Sequence, residues 1–356
     1  MSATQLSGTH TASPTALPEP RIPDPRSAPA IRWGILGPGG IARAFAAAVR
    51  DGTTSGVVAV GSRDAGRARA FSDEFGVERA YGSYIELVQD DAVDAIYVSS
   101  PHSEHYAHAL MAIEAGKPVL VEKAFTRNAA EAREVVETAR AAGLLVAEAM
   151  WSRYLPHYDI VRQAVADGVI GEVVHLVADH SQRLYPAGPE RLAAPELAGG
   201  ALLDLGVYPV SFAELVLGAP GTVTARGTLT DRGVDATTGI VLTHSSGSQT
   251  LISASMLGTG PCAATVTGTL GRLELAGRFY APTTVRLVGA DGTVLDEWDA
   301  RSPSQVHGFA YEAAEFARSL AAGQLETPSM PHAATLRVMA TMDEVRRQIG
   351  VTYPGE

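Results

Sequence analysis

Five continuous apolar runs, each separated from the next by a helical pattern, constrain the fold of this chain more than any other feature. They lie between Ile31 and about Met150 and read IRWGIL, GVVAVGS, DAIYVSS, KPVLVEK and LLVAEAM. Strands that are covered by helices on both faces have this continuous apolar character, whereas half-exposed strands alternate. The repeated strand–helix pattern therefore predicts an α/β domain with a doubly wound parallel sheet over residues 31–150.

The pattern changes after about Trp151. One helical segment and one strand are followed by a glycine-rich stretch and by an apolar helix, ALLDLGVYPVSFAELVLG. Several short, Thr-rich strands with tight turns come next, and they predict an antiparallel sheet. Two helices at about 307–322 and 331–349 close the chain. Residues 151–356 are therefore predicted to form an α+β domain with a large, mostly antiparallel sheet.

Residues 1–30 differ in composition from the rest of the chain. They are rich in Pro, Ser and Thr and contain no apolar run, so we expect a disordered tail. The alternative is an extended arm that lies along a partner subunit. The segment lacks the apolar region of a signal peptide, and no stretch of the chain approaches 18 uncharged apolar residues, so we expect neither export nor a membrane span.

Charge and cysteine content narrow the functional classes. The formal net charge is −11, and no cluster of Lys or Arg appears, which argues against a nucleic-acid partner because such proteins need a basic face. The one cysteine, Cys262, cannot form an intramolecular disulfide and is expected to be a small core residue. This usage fits the reducing cytoplasm, where we expect the protein.

A glycine-rich turn, GPGGIA, directly follows the first predicted strand and opens the first predicted helix. That context is what a dinucleotide-binding fingerprint requires, and a purely structural turn is the alternative. Gly37 permits the tight turn, Gly39 lets the backbone approach a pyrophosphate, and Ala42 lets helix and strand pack closely. The N–H groups that begin the helix, at Gly40 and Ile41, would receive the phosphates.

The end of the second strand, AVGSRD, predicts which dinucleotide is bound. An acidic residue at this strand end would hold the ribose 2′-hydroxyl of NAD. Ser62 and Arg63 instead supply a hydroxyl and a guanidinium, which suit a 2′-phosphate because Arg binds phosphate bidentately. We therefore predict NADP, with NAD as the alternative. Asp64 favours NAD unless it caps the following helix.

Two other strand ends carry polar residues. Carboxyl ends of parallel strands meet at the edge of the sheet where ligands bind, so we predict that the cofactor site includes Ser100, Pro101, His102, His105, Glu122 and Lys123. Lys123 would lie near the nicotinamide ring and take part in proton transfer; the alternative is a solvated lysine. His102, His105 and His108 have no familiar zinc spacing and no accompanying cysteine, so no metal site is expected.

Asp204 and Tyr208 are four residues apart and share one face if their segment is helical, although Pro209 makes a continuous helix less favourable. Because they follow Gly199 and Gly200, both side chains are predicted to reach into a cleft between the domains. The alternative is that Asp204 caps a helix and that Tyr208 is a half-buried packing residue.

The glycine fingerprint, the strand-end Glu122-Lys123 and the later Gly-Gly-x-x-x-Asp-x-Gly-x-Tyr motif together resemble the glucose–fructose oxidoreductase/inositol dehydrogenase (Gfo/Idh/MocA) family. The resemblance extends from Ile31 to the C-terminus. The stretch AEAMWSRYLPHY is similar to the branch that contains the dimeric dihydrodiol dehydrogenases and the NADP-dependent D-xylose dehydrogenases. Ala124 stands where the family has Pro, which would relax the loop after Lys123, and Tyr208 stands where the family usually has His.

The resemblance implies a Rossmann domain and an NADP-dependent oxidoreductase that transfers hydride between the nicotinamide and a hydroxyl carbon of a sugar, cyclic polyol or dihydrodiol. It makes Lys123 and Tyr208 the expected acid–base pair, with Asp204 in the substrate or proton network. A phenol needs help to ionise at neutral pH, and the Lys123 ammonium would favour the phenolate. The resemblance also places Trp151 and Arg153 near the nicotinamide.

The resemblance further implies a homodimer or homotetramer that forms through the C-terminal sheet. Two other functions stay open. The chain could be a non-catalytic NADP-binding sensor, or it could be an oxidoreductase that keeps NADP trapped while it couples two sugars. Retention of Lys123, Asp204 and Tyr208 together argues against the sensor, because a sensor has no need of an acid–base pair at the ring.

Overall fold

The computed structural model describes residues 16–300 and 307–356. Within these residues the first sheet is entirely parallel, and its strands lie in the order β3-β2-β1-β4-β5-β6. The strands, in chain order, are β1 (Arg32–Leu36), β2 (Gly56–Gly61), β3 (Arg79–Tyr81), β4 (Ala95–Val98), β5 (Val119–Glu122) and β6 (Val146–Ala149). The strand order reverses between β1 and β4, where open α/β sheets bind their ligands. The predicted doubly wound parallel sheet is thus confirmed.

Helices cover both faces of this sheet. They are α1 (Gly40–Gly52), α2 (Ala65–Phe75), α3 (Tyr84–Val88), α4 (His105–Glu114) and α5 (Ala129–Ala142). A further helix, α9 (Phe309–Ala321), comes from the far end of the chain and packs against α1. Its Phe316 ring lies 5.1 Å from Trp33, whose other neighbour is Phe45 at 5.3 Å. Residues near the C-terminus therefore complete the core of the first domain, although the sequence placed them in the second.

The second sheet has the strand order β14-β13-β12-β11-β7-β10-β9-β8 over the described residues. Its strands are β7 (Val173–Ser181), β8 (Thr222–Leu229), β9 (Asp235–Thr243), β10 (Gln249–Ser255), β11 (Ala264–Gly268), β12 (Gly271–Leu275), β13 (Thr284–Gly289) and β14 (Val294–Asp299). Only the β7–β10 pair is parallel among these described strands. The prediction of a large, mostly antiparallel sheet is therefore confirmed.

Helices cover one face of the second sheet, and the other face is open. The helices that follow the first domain are α6 (Pro156–Ala166), α7 (Glu190–Ala193), α8 (Val207–Leu217) and α10 (His332–Ile349). Among them, α8 and α10 pack on the sheet. The residues of strand β10 therefore alternate between exposed and buried along its length. This alternation is typical of a sheet with one solvated face.

One helical stretch among the described residues, Pro195–Leu217, is long and apolar enough by composition to cross a bilayer, with a mean hydropathy of 1.5. Within the fold, however, 83% of the most apolar 18-residue part of this stretch is buried. It packs on β7, β9 and β10 of the second sheet and carries Asp204 and Tyr208. Its apolar character on all sides is that of a helix surrounded by protein.

The N-terminal segment lies along its own chain over residues 16–30, which differs from both the disordered tail and the arm on a partner subunit. The Leu17 amide donates to Asp296 Oδ2 at 2.8 Å, and the Arg21 amide donates to Asp159 Oδ2 at 2.7 Å. Arg318 donates to the Asp24 carbonyl at 2.7 Å. The segment therefore runs from the second sheet past α6 to α9. Residues 1–15, to which the prediction also applied, lie outside the described residues.

Candidate active site

A cavity of about 500 Å³ lies at the carboxyl ends of the first-sheet strands, beside the topological switch point. The predicted cofactor residues that line it are Gly37, Gly39, Gly40, Ile41, Ser62, Arg63, Ser100, Pro101, His102, His105, Glu122 and Lys123. Asp204 reaches the same cavity from the second domain. Two predicted cofactor residues, Trp151 and Arg153, do not line it.

The glycine turn leaves backbone open to this cavity. Gly37 has φ +98°, and a Cβ there would lie 3.3 Å from the Ser99 carbonyl oxygen and the Ser100 nitrogen. At Gly40, by contrast, an added Cβ would meet nothing within 4 Å. No side chain caps the start of α1, whose N-cap is Gly39. The first N–H groups of the helix are therefore available to an anion, as a pyrophosphate requires.

The neighbouring end of the cavity is basic. Asp64, the evidence for NAD, caps α2 instead, because its Oδ1 accepts hydrogen bonds from Gly66 N at 2.8 Å and Arg67 N at 3.2 Å. Arg63 lines the cavity together with Arg67, a residue that the sequence analysis missed. In the sequence, Arg63 and Arg67 are four residues apart at the start of a helix, and this spacing could have indicated that Arg67 also lines the cavity. This end offers guanidinium groups where a 2′-phosphate would lie.

Lys123 and Asp204 meet although they are 81 residues apart. Lys123 Nζ donates to the Asp204 carbonyl at 2.8 Å and to Asp204 Oδ1 at 3.2 Å. The same Nζ lies 5.0 Å from the centre of the Tyr208 ring. The structure thus brings the three predicted catalytic side chains together, from the first domain and from the second.

A π-helical turn, Leu202–Gly206, precedes α8 and sets the spacing of Asp204 and Tyr208. Pro209 has no N–H, so it cannot donate to the Leu205 carbonyl as an ordinary helix residue would. His180 Nδ1 lies 3.0 Å from that carbonyl and donates to it instead. Pro209 lies in the first turn of α8, directly after this local widening, and widenings of this kind are common at functional sites.

The charges around Asp204 and Tyr208 favour opposite protonation states. Burial alone would raise the pKa of Asp204, but the charges of Lys123 and Arg191 lower it well below its usual range, so the side chain is a carboxylate. Burial, followed by the nearby Glu122, raises the pKa of Tyr208 well above 10. Tyr208 is thus a neutral phenol in the ligand-free site. Burial therefore opposes the phenolate that was expected from the nearby Lys123.

Hydrogen bonds on the first-domain side of the site fix Glu122 and the backbone of Lys123. The Tyr97 hydroxyl donates to Glu122 Oε1, and Glu122 Oε2 accepts a hydrogen bond from the Lys123 amide at 3.1 Å. Phe45 stacks on the Tyr97 ring at 3.8 Å, which fixes the phenol. The backbone of Lys123 is therefore anchored to the first-domain core while its amine reaches toward Asp204.

His105 holds the loop after Lys123. Its Nδ1 lies 2.8 Å from the Ala124 carbonyl, and its Nε2 lies 2.8 Å from the Ser100 carbonyl. Burial lowers the pKa of His105 to about 4, so the neutral ring donates to one carbonyl at a time. Ala124 is fully buried, and the Lys123–Ala124 peptide is cis. The loop is packed, and the relaxation expected from the missing proline is not observed.

The other histidines of the first domain are also in the interior. His102 Nδ1 lies 3.1 Å from the Ala198 carbonyl, and burial lowers the pKa of His102 to about 3. His108 Nδ1 lies 2.9 Å from the Ser100 hydroxyl. Over residues 16–300 and 307–356, no three His, Cys, Asp or Glu side chains are grouped so that they could hold a metal ion.

Trp151 lies beside Tyr208, outside the cavity. Its Nε1 donates to the Tyr208 hydroxyl at 2.9 Å, and its ring stacks on Phe309 at 4.7 Å. Arg153 was predicted to lie near the nicotinamide, but its side chain faces away from the cavity. Its Nε donates to Ser211 Oγ at 2.8 Å, and its Nη2 pairs with Glu214 in the interior. Arg153 therefore supports the second domain and does not touch the cofactor cavity.

Three residues that were not predicted from the sequence, His180, Gln182 and Tyr280, complete the surroundings of Tyr208. The Tyr280 ring lies 5.0 Å from Tyr208 and stacks on His180 at 4.1 Å. Gln182 Nε2 donates to His180 Nε2 at 2.8 Å and to the Tyr280 hydroxyl at 3.1 Å. These residues come from the end of β7 and from a later loop, and no local motif marks them.

Comparison with known proteins identifies related sequences. The profile described as "Oxidoreductase family, NAD-binding Rossmann fold" (GFO_IDH_MocA) matches residues 31–150, and that of the GFO/IDH/MocA C-terminal domain matches residues 158–274. The trans-1,2-dihydrobenzene-1,2-diol dehydrogenase of Xenopus tropicalis is 35% identical over 332 residues, which cover 91% of this chain and 100% of that protein. The D-xylose 1-dehydrogenase (NADP(+)) of Hypocrea jecorina is 36% identical over 365 residues, 91% of this chain and 93% of that protein.

A solved structure has the same architecture. KijD10, a 3-ketoreductase from Actinomadura kijaniata in complex with NADP and TDP-benzene, superimposes with a TM-score of 0.80 and 29% sequence identity. The match covers 90% of this chain and 98% of that chain.

Proposed function

We propose, from the premise that this chain belongs to the Gfo/Idh/MocA oxidoreductase family, that it oxidises a hydroxyl of a sugar, cyclic polyol or dihydrodiol with NADP. The observation that carries the proposal is the convergence of three side chains: Lys123 and Asp204 line the cavity that begins with the glycine turn, and the Tyr208 ring, which does not line it, lies 5.0 Å from Lys123 Nζ. The names of the two relatives give a dihydrodiol and D-xylose as their substrates.

The residues that line the cavity support binding of the dinucleotide along its length. The N-terminus of α1 would hold the pyrophosphate, Arg63 and Arg67 would hold the 2′-phosphate, and Lys123 would lie at the nicotinamide end. When bound, NADP⁺ would supply the hydride acceptor for an oxidation in which R₂CHOH and NADP⁺ give R₂C=O, NADPH and H⁺.

Tyr208 is proposed to exchange the proton directly with the substrate oxygen. Its hydroxyl is a neutral phenol in the ligand-free site, which suits donation to a carbonyl oxygen in the reductive direction. In the oxidative direction the phenol must first release its proton to solvent, and the phenolate, 5.0 Å from Lys123 Nζ at its ring centre, then accepts the proton of the substrate hydroxyl. Asp204 would keep the Lys123 amine beside the ring through the 3.2 Å contact. Trp151 would orient the phenol by donating to its oxygen.

Replacing Arg63 by alanine is expected to raise the Kd for NADP about 10- to 100-fold and to leave that for NAD nearly unchanged, because only NADP carries the 2′-phosphate. Titration of each dinucleotide by intrinsic fluorescence measures both constants. Arg69→Ala is the control, since Arg69 lies on α2 but does not line the cavity. The NADP assignment is wrong if the wild type binds NAD as tightly as NADP.

Absorbance of reduced nicotinamide, recorded with a panel of aldoses, inositols and dihydrodiols, tests the proposed function. Reduction of added NADP by at least one of them, with release of NADPH, is the expected result. Reduction without release would instead favour the trapped-cofactor enzyme. No change with any compound would favour the non-catalytic sensor.

A second copy of this chain is the partner that we propose for the open sheet face. Val177, Leu251 and Val241 are 45%, 43% and 38% exposed and lie directly opposite one another on β7, β10 and β9. A contiguous exposed apolar patch of this kind is typical of an interface. Leu251→Lys should therefore convert a dimer or tetramer into a monomer in light scattering, whereas Val294→Lys on β14 should not. A monomeric wild type at micromolar concentration would contradict the proposal.

We also propose a cytoplasmic location. It is supported by Cys262, the one cysteine of the chain, which is a buried free thiol whose Sγ donates to the Ser181 carbonyl at 3.3 Å. Fractionation of the native host tests the location.

A further inference from the structure

We propose that a second cavity, which lies between α6, α8 and α10, binds a small anion through Arg153, Arg162 and Arg337. The cavity has a volume of about 500 Å³, and among the described residues it shares no lining residue with the cofactor cavity. The inference therefore concerns a site apart from the proposed reaction. It gives a role to Arg153, which was predicted from the sequence to lie near the nicotinamide.

Arg153 is the most buried of the three arginines and has an unused donor group. Its side chain is only 2% exposed. Nε and Nη2 donate to Ser211 and Glu214, whereas Nη1 donates to no residue that the structure describes and is not fully enclosed. Because Arg153 lines the cavity, the N–H groups of Nη1 open into it. Donors in such a position favour an acceptor from a bound molecule or from water.

Arg162 and Arg337 supply further donors nearer the surface, where their side chains are 53% and 42% exposed. Arg337 donates to Glu214 through Nε and Nη2, at 2.9 and 2.6 Å, and Arg162 donates to Asp159 through Nη2. Nη1 of both arginines, and Nε of Arg162, donate to no described residue. Unused N–H groups of three guanidinium ions therefore border one cavity.

The acidic residues of this cavity, Asp159 and Glu214, already accept hydrogen bonds at all four carboxylate oxygens. The donors are the side chains of Arg153, Arg162, Gln163 and Arg337 and the backbone amide of Arg21. Burial would raise the pKa of Glu214, but the charges of Arg153 and Arg337 lower it, so Glu214 is a carboxylate. Three cationic and two anionic side chains line the cavity, which leaves one positive charge in excess. Every oxygen thus has a donor, whereas several N–H groups have no acceptor.

A carboxylate or a phosphate group matches this surplus of donors. Both groups are anions that only accept hydrogen bonds when fully ionised, and the planar guanidinium binds both bidentately. A cavity of about 500 Å³ has room for a small metabolite that carries such a group. The proposed ligand is therefore a small carboxylate or phosphate compound, and the two probe anions of the experiment, succinate and inorganic phosphate, distinguish these chemistries.

The purely structural alternative is that the arginines only neutralise Asp159 and Glu214. Removal of Arg162 or Arg337 would then lower the free energy of unfolding and leave anion affinity unchanged. A binding role predicts instead that the same substitutions weaken anion binding. The experiment uses these two exposed arginines, because replacing Arg153 would remove a partner of Glu214 in the interior and destabilise the fold.

Calorimetric titration of succinate and of inorganic phosphate into the NADP-loaded protein tests the site. Saturating NADP occupies the glycine turn, Arg63 and Arg67, which would otherwise bind phosphate as well. Ionic strength is held constant, because salt screens exposed charges. We expect a Kd in the millimolar range or below for at least one of the two anions, and we expect Arg162→Gln and Arg337→Gln each to raise it about 10-fold or more.

Arg347→Gln is the matched control for Arg337→Gln. Arg347 also lies on α10, but it pairs with Glu344 and does not line the cavity. Its replacement should leave the Kd of both anions unchanged. Tighter binding of succinate would identify the ligand as a carboxylate, and tighter binding of phosphate would identify it as a phosphate compound.

The inference is overturned if neither anion shows saturable binding up to about 50 mM, well above the Kd expected for the site. It is also overturned if Arg162→Gln and Arg337→Gln bind as the wild type does. Both results would leave the proposed function intact. Failure of NADP to bind would count against the proposed function alone, and the same titrations into a protein with Arg63→Ala and Arg67→Ala would then decide the inference.

Discussion

Replacing Lys123 by methionine is expected to lower kcat about 10²- to 10⁴-fold while NADP still binds. Methionine keeps most of the length of the side chain but removes the ammonium that contacts Asp204 and lies over the Tyr208 ring. Acid–base assistance of this kind typically accounts for that range in rate. Steady-state turnover with the best substrate of the panel, together with the Kd for NADP, measures the two effects separately.

Lys117→Met is the matched control for this substitution. Lys117 Nζ donates to the Asp90 and Val93 carbonyls at 2.9 and 2.8 Å, and the residue does not line the cofactor cavity. Its replacement should lower stability without lowering kcat, once the protein is folded. A Lys123→Met variant with a wild-type kcat would remove Lys123 from the chemistry.

Replacing Tyr208 by phenylalanine is expected to lower kcat about 10²- to 10⁴-fold as well, because it removes the proposed direct proton donor and keeps the ring. The contacts with His180 and Tyr280 at 5.1 and 5.0 Å involve the ring and would be retained. Trp151 would lose the acceptor of its 2.9 Å hydrogen bond, which costs about 1 to 3 kcal/mol of stability if no water replaces it. Turnover and thermal unfolding measure these consequences.

Tyr81→Phe provides the matched control, since it removes a phenol that donates to Asp90 at 3.1 Å, at a residue that does not line the cavity. Its turnover should match that of the wild type. Tyr208→Phe should also change kcat more than KM, because the phenol acts mainly in the transition state. Near wild-type rates in both Lys123→Met and Tyr208→Phe would reject the acid–base assignment.

The first domain was predictable because its signals are local. A buried parallel strand must be apolar on both faces, and a phosphate-binding turn needs glycine within a few residues of a strand end. Gly37 has the positive φ that the turn requires, and Ser62, His105 and Lys123, which follow β2, β4 and β5 in the chain, all line the cavity. Each of these features depends on neighbours that are close in the chain.

The second domain contributed residues that local patterns do not reveal. Arg153 was expected near the nicotinamide but forms an interior contact with Glu214, whereas Arg191, without any motif, contacts Asp204. Long flexible side chains bind whichever oppositely charged group the packing brings near them. The sequence pattern around an arginine therefore says little about its partner.

Taken alone, the sequence determined the parallel sheet, the large mostly antiparallel sheet and the glycine turn, because apolar periodicity and backbone conformation depend on short stretches of chain. The contact between Lys123 and Asp204 across 81 residues, and the raised pKa of Tyr208, depend instead on how distant parts of the chain pack together. The physical reason is that pairing and protonation follow from distance and desolvation. Both quantities arise only when the π-helical turn of the second domain packs against the strand ends of the first.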